Sequence, residues 1–152
     1  MHTADTSSDI LATLLSLVPS DTGMELPPKV FLDMCGEFIE FTEGERLVAR
    51  FPNMERYMNP FGYMQGGVIV AAMDNTVSPL SYVVAPPSIT KEFHATYKRP
   101  IKISDRFIDV IATVLERTDS GISLHAEVRN QIGKVAANGI ARCVFVKGGG
   151  TK

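Results

Sequence analysis

Apolar residues recur along this chain with two different periods. Ile10, Leu11, Leu14, Leu15 and Val18 are spaced by three and four, which predicts one apolar stripe on a short helix over Ile10–Val18. Asp9 reads as its N-cap and Pro19 as its end. Ser20–Pro28, with Gly23 and a Pro-Pro pair, reads as a loop. Two short strands follow near Glu37–Phe41 and Arg46–Phe51, joined by the turn Thr42-Glu43-Gly44-Glu45. After the loop Pro52–Met64 comes a helix from about Gly66 to Val77. Val68, Ile69, Ala71, Ala72 and Met73 make it apolar nearly all round, so it is wrapped by other elements. Pro79 is expected to kink or end it, having no amide hydrogen and crowding the preceding turn.

Beyond Pro86-Pro87 the period drops to two. Ile89–Arg99, Arg106–Arg117, Gly121–Asn130 and Lys134–Val146 read as strands. The separators Asp119-Ser120-Gly121 and Gln131-Ile132-Gly133 are hairpin turns, so the last three strands form an antiparallel meander. On Ile89–Arg99, strict alternation puts Thr90, Glu92, His94, Thr96 and Lys98 on one face and Phe93, Ala95 and Tyr97 on the other. The element order is helix, two strands, long helix, four strands. That is an α+β chain, an antiparallel sheet with one apolar helix packed on it. Residues 1–35 form an N-terminal helix and loop, residues 36–147 the main domain, and residues 148–152 a tail flexible by its glycines.

Composition narrows the function classes. A chain of 152 residues buries about 68–70% of its unfolded surface, enough for one core without staples. A net charge of −2, from 15 basic and 17 acidic residues, leaves no clustered basic footprint for nucleic acid. Cys35 and Cys143 have no metal-ligand spacing and read as two reduced, buried thiols of a cytoplasmic protein. Met1–Ser8 is polar and lacks the basic start of a secretory leader. The apolar run Val68–Pro86 is interrupted by Asp74, Asn75 and Pro79, which reads as a core helix and not as a membrane span.

The chemistry concentrates between Asn59 and Asp74. Asn59-Pro60 leads through glycines into the apolar helix, whose first amides, at Gly66 and Gly67, are free to receive a carbonyl oxygen that gains negative charge. Asp74 is a lone carboxylate two turns inside, costly to bury without a partner or a task. Amide donors plus one carboxylate suit acyl transfer or hydrolysis. Gly66 and Asp74 are separated by roughly 12 Å along the helix, too far to act on one carbonyl. If both serve one site, they come from two subunits related by a two-fold axis. Asn59 either starts a turn or holds water or a substrate carbonyl. Gln65 either caps the helix or donates to the same oxygen. His94 has no paired Ser or Cys at a recognisable spacing. The chain holds no Gly-rich phosphate loop, no metal triad and no Gly-x-Ser-x-Gly elbow.

These landmarks together resemble the hotdog-fold thioesterase superfamily, and within it the PaaI-like acyl-CoA thioesterases. The resemblance spans roughly Gly36 to Val146. It rests on Asn59-x-x-Gly62-x-x-Gln65-Gly66-Gly67, then Asp74, then a strand running from Thr90 to Arg99-Pro100. It implies a hotdog fold, an antiparallel sheet wrapped around a long central helix. It implies hydrolysis of an acyl-CoA, aliphatic or aromatic, across a homodimer interface, with dimers pairing into tetramers. Asp74 matches the family's general base or nucleophile, Gly66 the amide that binds the thioester oxygen, Asn59 the residue that places water and substrate, and Thr90 the hydroxyl beside the Asp. Gln65 and Gly67 complete the substrate-binding set. No metal and no cofactor are implied beyond the coenzyme A of the substrate, and neither nucleic acid nor membrane is a partner. Gln65 departs from the family, which has His there; Gln donates a hydrogen bond but does not titrate near neutral pH. A non-catalytic dimer binding acyl or aromatic ligands is the competing reading.

Overall fold

A computed structural model describes residues 6–147. The expected tail, residues 148–152, and the first five residues of the polar start, Met1–Asp5, lie outside the described residues. The elements run α1 (Ser7–Leu17), α2 (Lys29–Asp33), β1 (Glu37–Thr42), β2 (Arg46–Pro52), a 3-10 turn (Glu55–Tyr57), α3 (Gly66–Val84), β3 (Ser88–Tyr97), β4 (Phe107–Arg117), β5 (Gly121–Asn130) and β6 (Val135–Phe145). The six strands form one antiparallel sheet in the order β1-β2-β4-β5-β6-β3. The meander β4-β5-β6 is as the two glycine turns predict. β3 closes back onto β6 and forms one edge of the sheet, and β1 forms the other.

Helix α3 lies on the sheet. Ile69, Ala72, Met73, Val77 and Leu80 face Leu47, Ala49, Ile108, Val110, Ala112, Leu124 and Ala126, all at most 3% exposed. Burying side chains of this size stabilises by about 1.5–3 kcal/mol each, and this face sets where the helix runs. By length and composition alone the helix would pass for a membrane span, but its apolar side is covered by the sheet. Gly139 on β6 leaves room for the Phe93 ring and the Met73 side chain. A Cβ there would lie 2.6 Å from the Phe93 ring and 2.8 Å from the Met73 sulfur. Gly139→Ala is therefore expected to destabilise by about 1–3 kcal/mol through overpacking, read from the midpoint of urea unfolding.

The structure revises four sequence expectations. Asp9 is not the N-cap of α1. Thr6 is, with its hydroxyl accepting from the Asp9 amide at 3.3 Å and the Asp9 carboxylate accepting from the Thr6 amide at 3.0 Å. This is a reciprocal capping box with Asp in its third position. Pro79 does not end α3, which continues to Val84. The cost of an interior proline, about 3 kcal/mol, is offset by burial of Val77, Pro79, Leu80 and Ser81 around it. Cys35 is exposed, at φ 53 just after α2, and only Cys143 is buried.

The fourth revision concerns β3. Its pairing with β6 is irregular between Thr90 and Glu92: Thr90 opposes Cys143, while Glu92 opposes Arg142. Lys91 is the extra residue of a β-bulge, which breaks the alternation. Thr90 therefore shares the helix-facing side with Phe93, Ala95 and Tyr97, and Glu92 and His94 point to the other side with Arg142 and Ile140.

Candidate active site

The first group of predicted residues gathers at the N-terminus of α3. The Asn59 side-chain oxygen accepts from the amides of Phe61 at 2.9 Å and Tyr63 at 3.1 Å, so Asn59 does build the turn. Backbone bonds from Met64 to Ile101 and from Gln65 to Tyr57, each 2.8 Å, fix the approach to the helix. Gln65 occupies the N-cap position, yet its exposed side chain makes no capping bond. Gly66 and Gly67 are the first two helical residues, so their amides have no carbonyl four residues back within the helix.

The Tyr97 hydroxyl donates to the Gly66 carbonyl at 3.0 Å, and a Cβ on Gly66 would meet that hydroxyl at 2.9 Å. Glycine is thus what lets β3 close over the helix start. A cavity of about 370 Å³ opens here, lined among others by Asn59, Gly66, Ile69, Tyr97 and Arg99.

The second group is two turns along. Asp74 is half-buried, and its Oδ1 accepts from the Thr90 hydroxyl at 3.2 Å. Burial pushes the Asp74 carboxyl above the ordinary carboxylate range, opposed by the Thr90 hydrogen bond. Among the described residues no salt bridge reaches Asp74, so a hydroxyl is its partner and not an arginine. Thr90 in turn lies 3.8 Å from the Cys143 sulfur. Tyr82, two turns further on α3, has its hydroxyl pKa raised by burial, with Ser78 opposing and the Asp74 charge adding.

The predicted residues therefore fall into two clusters. Asn59, Gln65, Gly66 and Gly67 hold one end of α3, and Asp74 and Thr90 hold its middle. Gly66 and Asp74 are about 12 Å apart along the axis, as their spacing requires. His94, on the other face of the sheet, belongs to neither. Tyr97 and Cys143 are the residues the sequence reading missed. Tyr97 was on the correct face, but nothing local says that its hydroxyl reaches Gly66. Cys143 looked like an inert core thiol, because the bulge that turns Thr90 toward it leaves no sequence signal. Among the described residues no group of three His, Cys, Asp or Glu is arranged to hold a metal.

Comparison with known proteins bears on the fold that carries these residues. A family model described as the thioesterase-like superfamily matches residues 87–152, which include Thr90 and Cys143. No curated protein gives a significant match to the chain. Among solved structures, the chain is similar to the E. coli PaaI protein from the phenylacetic acid degradation operon. The TM-score there is 0.76 at 14% identity, over 96% of this chain and 98% of that one. It is similar to a phenylacetic acid degradation-related protein of Ralstonia eutropha JMP134, with TM-score 0.74 and 20% identity over 92% and 99% of the two chains. A Haemophilus influenzae thioesterase gives 0.73 and 17% over 97% and 92%. At these identities the likeness is one of fold. These structures define the class by architecture, a hotdog fold, and the thioesterase-like match covers the C-terminal part of it, residues 87–152.

Proposed function

We propose that the protein is an acyl-CoA thioesterase that works as a homodimer, with dimers pairing into tetramers, in the cytoplasm. The observation that carries this reading is Asp74: a half-buried carboxylate with no salt bridge among the described residues, hydrogen-bonded by Thr90, on the helix whose first amide belongs to Gly66. The separation of the two clusters supports a site completed by a second subunit. So does the free edge of β3, a ten-residue strand beside both clusters that offers unpaired backbone groups to a second copy.

In the proposed reaction the thioester oxygen accepts a hydrogen bond from the Gly66 amide of one subunit. Asp74 of the other takes a proton from water as the water oxygen bonds to the carbonyl carbon. The tetrahedral oxyanion is held by the amide, then collapses. The carbon–sulfur bond breaks, and the departing thiolate recovers the proton from Asp74, leaving a free thiol and an acid. Thr90 orients the carboxylate, the Asn59 amide group holds the water or the substrate, and Gln65 and Gly67 line the carbonyl's approach. A preorganised amide donor is worth about 2.7–4 kcal/mol to such a transition state. No metal or bound cofactor enters.

Asp74 acts only when ionised, so its raised pKa has a sign. kcat/KM is expected to fall as the pH drops through a limb lying above the ordinary aspartate value of about 3.9. A limb at or below that value would contradict the assignment.

The test of function is release of free thiol from a panel of aliphatic and aromatic acyl-CoA thioesters. Turnover on any member supports the enzyme and names its acyl class. A folded dimer that binds members of the panel and turns over none supports the competing reading, a ligand-binding dimer, for which the titration-silent Gln65 in place of His is the motive.

A further inference from the structure

We infer that Cys143 is a positioning residue: its thiol donates a hydrogen bond to the Thr90 oxygen and thereby holds Thr90 as a donor to Asp74. The inference rests on the reading of Asp74 as the base. It follows from counting protons. An ionised carboxylate only accepts, and a threonine hydroxyl has one proton and two lone pairs. With Thr90 Oγ1 at 3.2 Å from Asp74 Oδ1, that single proton goes to the carboxylate. Thr90 can then only accept from Cys143, whose sulfur lies 3.8 Å away. Either atom of that contact has a proton to give, and the charge on Asp74 decides which one gives it.

The thiol suits the task. Burial pushes its pKa up and the Asp74 charge adds to this, outweighing the opposing effect of the neighbouring Thr90 and Ser88 hydroxyls, so it keeps its proton through neutral pH. The chain does not stop there. Ser88 lies against the same sulfur, and Ser81 and Ser88 share a hydrogen bond of 2.8 Å at 1% and 6% exposure. Ser81, Ser88 and Cys143 are buried, and the series runs from them through the hydroxyl of exposed Thr90 to half-buried Asp74, leaving α3 and returning to it through β3 and β6. With Asp74 ionised, donors aligned toward it polarise one another.

Other groups around this series are few. Tyr82 and Ser78 face Asp74 from α3 itself. Arg142 of β6 is paired with Glu92 of β3 at 3.2 Å on the opposite face, Lys91 is the bulged residue, and Arg117 of β4 is bonded to the Val84 carbonyl at 2.8 Å.

The test is titration of the Asp74 carboxyl carbon by 13C NMR in the resting protein, for wild type, Cys143→Val, Cys143→Ala and Cys143→Ser. Val fills the space, with one more heavy atom than Cys, and removes the donor, whereas Ala removes both bulk and donor and admits water. If Cys143 only excludes water, the two move the Asp74 titration in opposite directions. If it donates, both move it upward, by about half a pH unit, and Ser restores the wild-type value. The acid limb of kcat/KM moves with it, at unchanged KM. Opposite shifts for Val and Ala, no shift in either, or a Ser variant that follows Val would each overturn the inference. A wild-type protein that turns over no thioester would end the functional reading above, while the NMR titration would still decide the role of Cys143.

Discussion

Asp74→Asn is expected to lower thioester turnover by about 10²–10⁴-fold while ligand binding survives and the folded state becomes more stable at neutral pH. The loss is that of a positioned base: the amide fits the same space but takes no proton from water. The gain in stability follows from the sign of the Asp74 shift. Its pKa is raised in the folded state, chiefly by burial, so folding binds the proton more tightly than the unfolded chain does. Its stabilising contribution is full below the unfolded pKa and is lost as pH rises through the folded one, leaving a desolvated charge at neutral pH. Removing that charge relieves the cost, the trade between activity and stability common at working sites. Thiol release and thermal unfolding on the same samples check both halves. A variant that keeps full turnover removes Asp74 from the mechanism. One that loses turnover only because it unfolds leaves the role unproved and contradicts the expected rise in stability.

The second expectation concerns Gly66. Gly66→Pro removes the one amide hydrogen assigned to the thioester oxygen. At the first position of a helix, proline is tolerated. Gln65 already has the extended backbone, φ −64 and ψ 136, that a following proline demands. The helix should therefore survive, with Tyr97 displaced from the Gly66 carbonyl. Turnover is expected to fall about 10²–10³-fold, the usual cost of one oxyanion donor.

Mixing Gly66→Pro with Asp74→Asn then tests the shared site. With subunits exchanged at random, half the dimers are mixed. In each mixed dimer one site unites an intact Asp74 with an intact Gly66, so about a quarter of wild-type activity returns. If each chain carried a whole site, every site in the mixture would hold one defect and nothing would return. Two separately inactive proteins that regain activity on mixing leave little room for a single-chain mechanism.

Most of the architecture was legible because it is written in local periods. The switch from a three-four spacing to alternation at Pro86-Pro87 marks where helix gives way to meander, and the glycines at 121 and 133 mark its turns. The two clusters of the site were legible for a similar reason. Gly66, Gly67 and Asp74 belong to one helix, and a helix has a fixed rise, so their separation is arithmetic. What local pattern misjudged were places where burial outweighed it. Pro79 stays inside α3 because the side chains around it are buried against the sheet. Cys35 was read as a core thiol, but the chain turns at φ 53 there and exposes it.

The sequence by itself determined α1, α3 and the six strands, though not the short α2 or the 3-10 turn, together with the α+β class and the distance from Asp74 to the amides at Gly66. These depend on neighbours within a few residues, whose geometry is nearly the same in any fold. Only the tertiary structure decided which side of β3 carries Thr90. Alternation put it with Glu92 and His94, away from Phe93 and Tyr97. The extra residue at Lys91 reverses that assignment and brings the hydroxyl to Asp74 and Cys143. A bulge is set by the register of β3 against β6, strands with β4 and β5 between them in sequence, and a one-residue slip exchanges the faces of a strand. No local spacing encodes that register, so the partners of Asp74 emerge only when the sheet is assembled.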